Sequence, residues 1–219
     1  MTNRKKFSGP PDGGFDRLAW AYDFLAALVF GHSLKTAQAH FLATIPAHSR
    51  VLLIGGGAGW LLNQMLVHRP LSRVVYVEAS SRMLSLAKRK VQDLKHAPLV
   101  EFRWGNETVI GAAERFDVVI TPFFLDLFTR QRLQASVMPR LAACLLPGGS
   151  WLFTDFVHPP YPFQKYLLWT MYRFFRLVCK IEAQSLPDYP PLFTAFGLQR
   201  TASRDFVGRM VVASVWRKE

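Results

Sequence analysis

The stretch "VLLIGGGAGW", residues 51–60, constrains this chain more than any other. An apolar run without alternation stops at four glycines within residues 55–59, and an apolar helical pattern opens after them. Such a run reads as a strand buried on both faces, which requires a sheet covered by helices on both sides. Glycines where a strand turns into a helix allow tight turns and close approaches that side chains forbid. Something must come close to the main chain there, at a helix N-terminus suited to polar or anionic groups.

The rest of the chain repeats this alternation. "SRVVYVEAS", "LVEFRWGN", "RFDVVITP" and "SWLFTDFV" read as further strands, the fourth stopped by Pro122. "GWLLNQMLVHR", "SSRMLSLAKRKVQDLKH", "TRQRLQASVMPRLAACLL" and a stretch from about Tyr161 to Ala183 read as helices. "LQRTASRDFV" and "GRMVVASVWRK" form a hairpin at Gly208. The expected fold is α/β, a Rossmann-like doubly wound, mostly parallel seven-stranded sheet with an antiparallel C-terminal hairpin strand. Residues 1–14 read as a flexible basic arm with no signal peptide, and 15–219 as one domain. Within it, 15–48 is expected to form an N-terminal helical lid and 158–196 a helical cover.

In such a sheet, ligands bind beyond the carboxyl ends of the strands, where strand order reverses. Glu78, twenty-one residues past Gly57 and at the end of the second strand, can accept hydrogen bonds from both hydroxyls of a ribose. Dinucleotides and S-adenosylmethionine share these features. The third glycine of G-x-G-x-x-G separates them: its position holds Trp60, which argues against NAD.

With these residues the chain resembles class I S-adenosylmethionine-dependent methyltransferases over nearly its whole length, most of all the ubiquinone/menaquinone-biosynthesis C-methyltransferases. "FDRLAWAYDFLAALVFGHS" is similar to that group's N-terminal helix, "VLLIGGGAG" to its first motif and "VVYVEAS" to its acidic strand end. "FDVVITPFFLDLF" and "LLPGGSWLFTDF" resemble its later strand motifs. The resemblance implies S-adenosylmethionine as cofactor and no metal. It sets Gly55, Gly56, Gly57 and Gly59 along the methionine part and ribose, Glu78 on the ribose and Ala79 under the adenine. It places Asn106 where an Asp often faces the adenine amino group, Thr121 at the methionine end, and Tyr22 closing the site. Leu53 stands where the first motif often carries an Asp.

A sulfonium methyl is already activated, so the enzyme must chiefly align the nucleophile and exclude water. A base is needed only where the acceptor must lose a proton. Asp126 after the fourth strand, and Asp155 and His158 after the fifth, are the candidates; Asp126 could equally cap the next helix. His32, Phe123, Phe124, Phe163, Tyr166, Trp169, Tyr172 and Tyr189 are candidates to line an aromatic or prenylated pocket.

The expected reaction is methyl transfer to a small apolar or aromatic acceptor (quinone-, phenol- or lipid-like) by in-line displacement. A protein that binds the cofactor without transfer and an aminopropyltransferase-like enzyme remain alternatives; the latter needs paired Asp after the fourth strand, where "TPFFLDLF" has one. Half the residues are apolar and only Cys144 and Cys179 are cysteines, which fits a cytoplasmic globular protein. The net charge of +12 is scattered, and no nucleic-acid-binding signature accompanies it. On a helix over 161–183, Lys165, Arg173, Arg176 and Lys180 fall within an arc of about 80°. This is either a solvated stripe on a cover helix or a peripheral contact with an anionic membrane.

Overall fold

The computed structural model describes residues 32–179 and 186–219. The expected arm, Tyr22 and the first N-terminal helix lie outside them. Strands β1 (Arg50–Ile54), β2 (Arg73–Glu78), β3 (Val100–Trp104), β4 (Phe116–Pro122), β5 (Leu145–Phe156), β6 (Leu198–Phe206) and β7 (Val211–Lys218) form one sheet in the order β3-β2-β1-β4-β5-β7-β6. The first five run parallel; β7 pairs antiparallel with both β5 and β6. The chain leaves β1 toward β2 and β3, then returns to β1's other side with β4. The carboxyl ends of β1 and β4 therefore flank the switch point where a ligand crevice forms.

Helices cover both faces, as the unalternating strands require. Val51, Leu53, Val74, Tyr76, Val118 and Ile120 face α2 (Trp60–His68) and α3 (Ser81–Val91). Leu52, Ile54, Val75, Val119, Trp151 and Phe153 face the layer formed by α4 and α6. Here α4 runs Arg130–Arg132, passes through a π segment Leu133–Val137 and continues as Met138–Cys144; α6 is Tyr189–Thr194. The π segment explains how a helix tolerates Pro139: the proline falls at the start of a fresh α run, where its missing N–H breaks no bond. From α6, Phe193 stacks on Trp216 (centroids 4.5 Å apart, planes 9°) and meets Trp151 edge-on.

The expected strand "SWLFTDFV" starts earlier than its pattern shows. Leu145 already pairs with Phe116, and after a bulge the register resumes at Val118 and Ser150. "LLPGG" is thus part of β5, not only a helix stop. Helix α1 (Ser33–Ala39) packs on β7, β6 and α2. Helix α5 (Pro162–Cys179) sets Leu168 and, half-buried, Leu167 against a third apolar cluster at the carboxyl end of the sheet. Among the described residues no helix is long and apolar enough to cross a membrane.

Ser80 caps α3, its Oγ accepting from the Met83 amide at 3.1 Å. Ser80→Ala is expected to lower stability by about 1 kcal/mol, read as an earlier urea midpoint with an unchanged slope.

Candidate functional site

The glycine loop joins β1 to α2, and its glycines do different jobs. Side-chain carbons added at Gly55, Gly56 and Gly59 would strike Phe124 (2.8 Å), the Tyr76 ring (2.5 Å) and the backbone of Ala87 in α3 (2.7 Å). Gly57, at φ +62°, meets nothing within 4 Å. The loop is pressed onto protein on three sides and open at Gly57. Close packing, the third glycine's task in the dinucleotide fingerprint, is met here by Gly59 against α3, and Trp60 opens α2 beside it.

Glu78 holds this loop. Its Oε2 accepts from the Gly57 amide at 3.0 Å and its Oε1 from the Ser80 amide at 2.9 Å. The Tyr76 hydroxyl donates to the Gly57 carbonyl at 2.7 Å, fixing the other side of the same peptide pair. Trp104, at the end of β3 and more than half exposed, donates its indole N–H to the Ala79 carbonyl at 2.9 Å. It supplies an aromatic wall beside the residue expected under the adenine. Sequence reading passed over both aromatics because each sits in an ordinary strand pattern; the one signal was a Tyr whose polar tip falls within an otherwise apolar strand.

Asn106 sits after β3 as expected, but its Oδ1 is engaged by both the Thr108 amide (3.0 Å) and the Thr108 hydroxyl (2.7 Å), capping a short turn. Its amide NH₂ is the group left to offer, a donor rather than the acceptor the adenine amino group needs. Thr121 requires a firmer correction. It is fully buried, and its hydroxyl accepts from the Trp151 indole N–H at 2.9 Å. Strand parity points it into the core on the α4–α6 side, away from any methionine end.

Beyond Thr121 the chain bends sharply. Phe123 takes a left-handed φ of +48°, held by its amide donating to the Thr154 carbonyl at 2.7 Å. Its ring enters the cluster of Leu34, Phe156, Leu168, Leu186 and Met210, with Phe156 at 5.2 Å. Phe124 turns the other way, onto Phe128 and against Gly55. A non-glycine residue at positive φ beside a ligand crevice is strain stored where function concentrates.

Asp126 is no helix cap; Thr129 does that work by accepting from the Arg132 amide. Asp126 instead pairs with Asp155. Both are buried, Asp155 completely. Asp155 Oδ2 accepts from the amides of Leu125 (3.0 Å) and Asp126 (3.2 Å), Oδ1 accepts from the Phe156 amide (2.9 Å), and the Asp126 carboxyl lies within hydrogen-bonding reach. Burial above all, and then the charge of Asp126, pushes the Asp155 carboxyl well above the usual range. Asp155 ties the turn after β4 to the end of β5.

His158 is exposed, its Nε2 2.8 Å from the Leu186 carbonyl, so it braces the segment before α6 against the end of β5. His32 lines a shallow groove between α1 and α2 with Lys35, His40 and Trp60. Tyr189 is buried against Phe153 in the α4–α6 core layer. Tyr166 and Trp169 are 66% and 56% exposed on the outer side of α5, so they do not line an interior pocket; Leu168 is the inward residue. The Tyr172 side chain, like Tyr22, lies outside the described residues. Among those described, no group of His, Cys, Asp and Glu could hold a metal ion.

Residues 52–151 match a methyltransferase-domain family model. No curated protein matches the sequence. Among solved structures the fold is similar to the mitomycin 7-O-methyltransferase MmcR: 18% identity, TM-score 0.70, over 94% of this chain and 61% of that one. It is also similar to an O-methyltransferase family protein from Burkholderia thailandensis: 18% identity, TM-score 0.69, over 93% and 59%. A third likeness is to the N-methyltransferase NodS from Bradyrhizobium japonicum WM9 with S-adenosylhomocysteine bound: 15% identity, TM-score 0.59, over 84% and 83%. The matched segment carries the glycine loop, Glu78 and Asp126, and is similar to methyltransferase domains.

Thr121→Val strands the Trp151 N–H in the core. It is expected to cost about 1–3 kcal/mol of stability while leaving cofactor affinity unchanged, as denaturation and calorimetric titration of one preparation will show. Asp155 gives a pH prediction. An unfolded Asp titrates near the model value of 3.8, and the folded group well above it. From about pH 4 upward the folded form binds more protons than the unfolded. The stability contributed by that proton is complete below this pH and is lost as pH rises through the raised folded pKa. Asp155→Asn is expected to flatten this decline, measured as urea midpoints across the acid-to-neutral range.

Proposed function

We propose that the chain transfers the methyl group of S-adenosylmethionine to a small apolar or aromatic acceptor, quinone-, phenol- or lipid-like. The observation that carries this reading is the apolar cluster of Phe123, Phe156, Leu168, Leu186 and Met210 at the carboxyl ends of β4 and β5, next in sequence to Phe124, which meets the glycine loop. An acceptor reaching a methyl group there meets aromatic and aliphatic side chains. The neighbours' names span O- and N-transfer, so the acceptor class is read from this lining. The likeness of the N-terminal and strand motifs to quinone C-methyltransferases points the same way.

On this reading the division of labour is positional. Glu78 and the amides it organises hold the cofactor's ribose, and the N-terminus of α2 favours the negative carboxylate of its methionine part. Phe123 and Phe156 exclude water from the line of transfer. The acid pair keeps the β4 turn in place; Asp155 is a positioning residue, being fully buried and saturated by backbone amides. An aminopropyl acceptor is disfavoured, because an amine needs open carboxylates and both of these are buried.

Calorimetric titration with S-adenosylmethionine and S-adenosylhomocysteine, alongside NADH and decarboxylated S-adenosylmethionine, tests the cofactor. The first two are expected to bind and Glu78→Ala to weaken them about tenfold or more, the loss of charge-assisted hydrogen bonds. A screen of phenols, quinones and lipids, read as S-adenosylhomocysteine release, tests the acceptor. Cofactor binding with turnover only on charged, polar acceptors would overturn the apolar reading.

A further inference from the structure

Among the described residues, helix α5 is held to the protein along one side. Leu168 is buried beneath it, and the Gln164 side chain donates to the Gly208 carbonyl at 3.0 Å. The opposite side exposes Phe163 by 75%, Tyr166 by 66% and Trp169 by 56%, with Tyr161 just before the helix at 59%. A single exposed aromatic needs no explanation, but four within nine residues do. Cations are interleaved with them. Lys165 and Arg173 are exposed on the same helix, and the Arg173 guanidinium lies 5.4 Å from the centre of the Trp169 ring. No Asp or Glu occurs anywhere in Pro162–Cys179.

We propose that this face of α5 is a docking surface for an anionic bilayer, lying in the headgroup layer with Phe163, Tyr166 and Trp169 directed toward the acyl chains. Tyr and Trp favour that boundary because one end of each ring system is apolar and the other polar. Lys165 and Arg173 reach the headgroup phosphates while their stems stay on apolar surface. The chain's net charge of +12 complements such a surface and opposes a second copy of the same chain. Single-stranded nucleic acid also pairs with aromatic and basic residues, but it needs open ring faces in a groove. Here Tyr166 and Trp169 stack on each other at 6.0 Å on a convex helix, and Arg173 takes a further part of Trp169. The inner side of α5 packs on Phe123 and Phe156, so the docked helix stands between the lipid and the apolar cluster.

The test is co-sedimentation of the full chain with vesicles of phosphatidylcholine alone and of phosphatidylcholine mixed with phosphatidylserine. It needs no turnover, so its outcome is independent of the acceptor reading. The wild type is expected to bind the mixed vesicles at least tenfold more tightly than the neutral ones, and to be released by salt. Phe163→Ser with Trp169→Ser, and separately Lys165→Gln with Arg173→Gln, are expected to lose at least tenfold in binding while retaining calorimetric affinity for S-adenosylhomocysteine. The proposal is overturned if the wild type stays in the supernatant, or if both double variants still bind as it does, which would assign the effect to net charge alone. It is equally overturned if the aromatic variant abolishes self-association in sedimentation, or binding of a single-stranded oligonucleotide, while vesicle binding persists.

Discussion

Glu78 ends β2, and its two carboxylate oxygens take the amides of Gly57 and Ser80, so the loop after β1 and the turn into α3 cannot move independently. That carboxylate also lies near the N-termini of α2 and α3, where a negative charge is favoured by about 0.3–1 kcal/mol per helix at an exposed site. Tyr76 locks the Gly57 carbonyl from below, and the Tyr76 ring occupies the space that any side chain at Gly56 would need. The site is therefore organised before a ligand arrives, which lowers the entropy that binding must overcome. The loop stays in place because this carboxylate holds it.

The transfer edge is organised differently, by strain and burial. A phenylalanine in the left-handed region costs about 1–2 kcal/mol, and Phe123 stays there because its amide bonds Thr154 and its ring packs on Phe156. One turn later the backbone amides of Leu125 and Asp126 would lack partners inside the protein; Asp155 supplies them from the neighbouring strand. Two carboxylates could not both remain charged at this burial, so the pair retains a proton. The arrangement explains why an acid stands at the end of β5 with neither solvent nor a cation beside it.

Much of this was legible in the residues. The doubly wound, mostly parallel sheet with its antiparallel hairpin follows from the alternation of strand and helix patterns, and the loop with Glu78 reads from spacing alone, because backbone turns impose fixed distances along the chain. What failed to read were side-chain directions. In a sheet covered on both faces, an apolar strand carries no alternation to give Thr121 its side, so a residue placed by position at the site turned out to bond Trp151 in the core. On α5, apolar residues surround the helix, leaving periodicity without a phase; Tyr166 and Trp169 face outward and Leu168 inward. The Asp126–Asp155 pair joins positions twenty-nine residues apart, which no local pattern announces.

The boundary of the family match has a physical counterpart. Residues 52–151 contain most of β1, all of β2 to β4, the glycine loop and Glu78, where the contacts that hold the loop run largely through backbone groups and tolerate wide sequence change. Asp155, Phe156, His158, Leu168, Leu186 and Met210 all lie beyond it, and Leu34 before it. These residues meet through side chains brought from α1, β5, α5 and the approach to β7, so the acceptor side is specified by packing rather than by a motif. The fold is shared with proteins at 15–18% identity, so it tolerates wide change in the residues that pack around it. The cluster around Phe123 forms where two cover helices meet the strained end of β4.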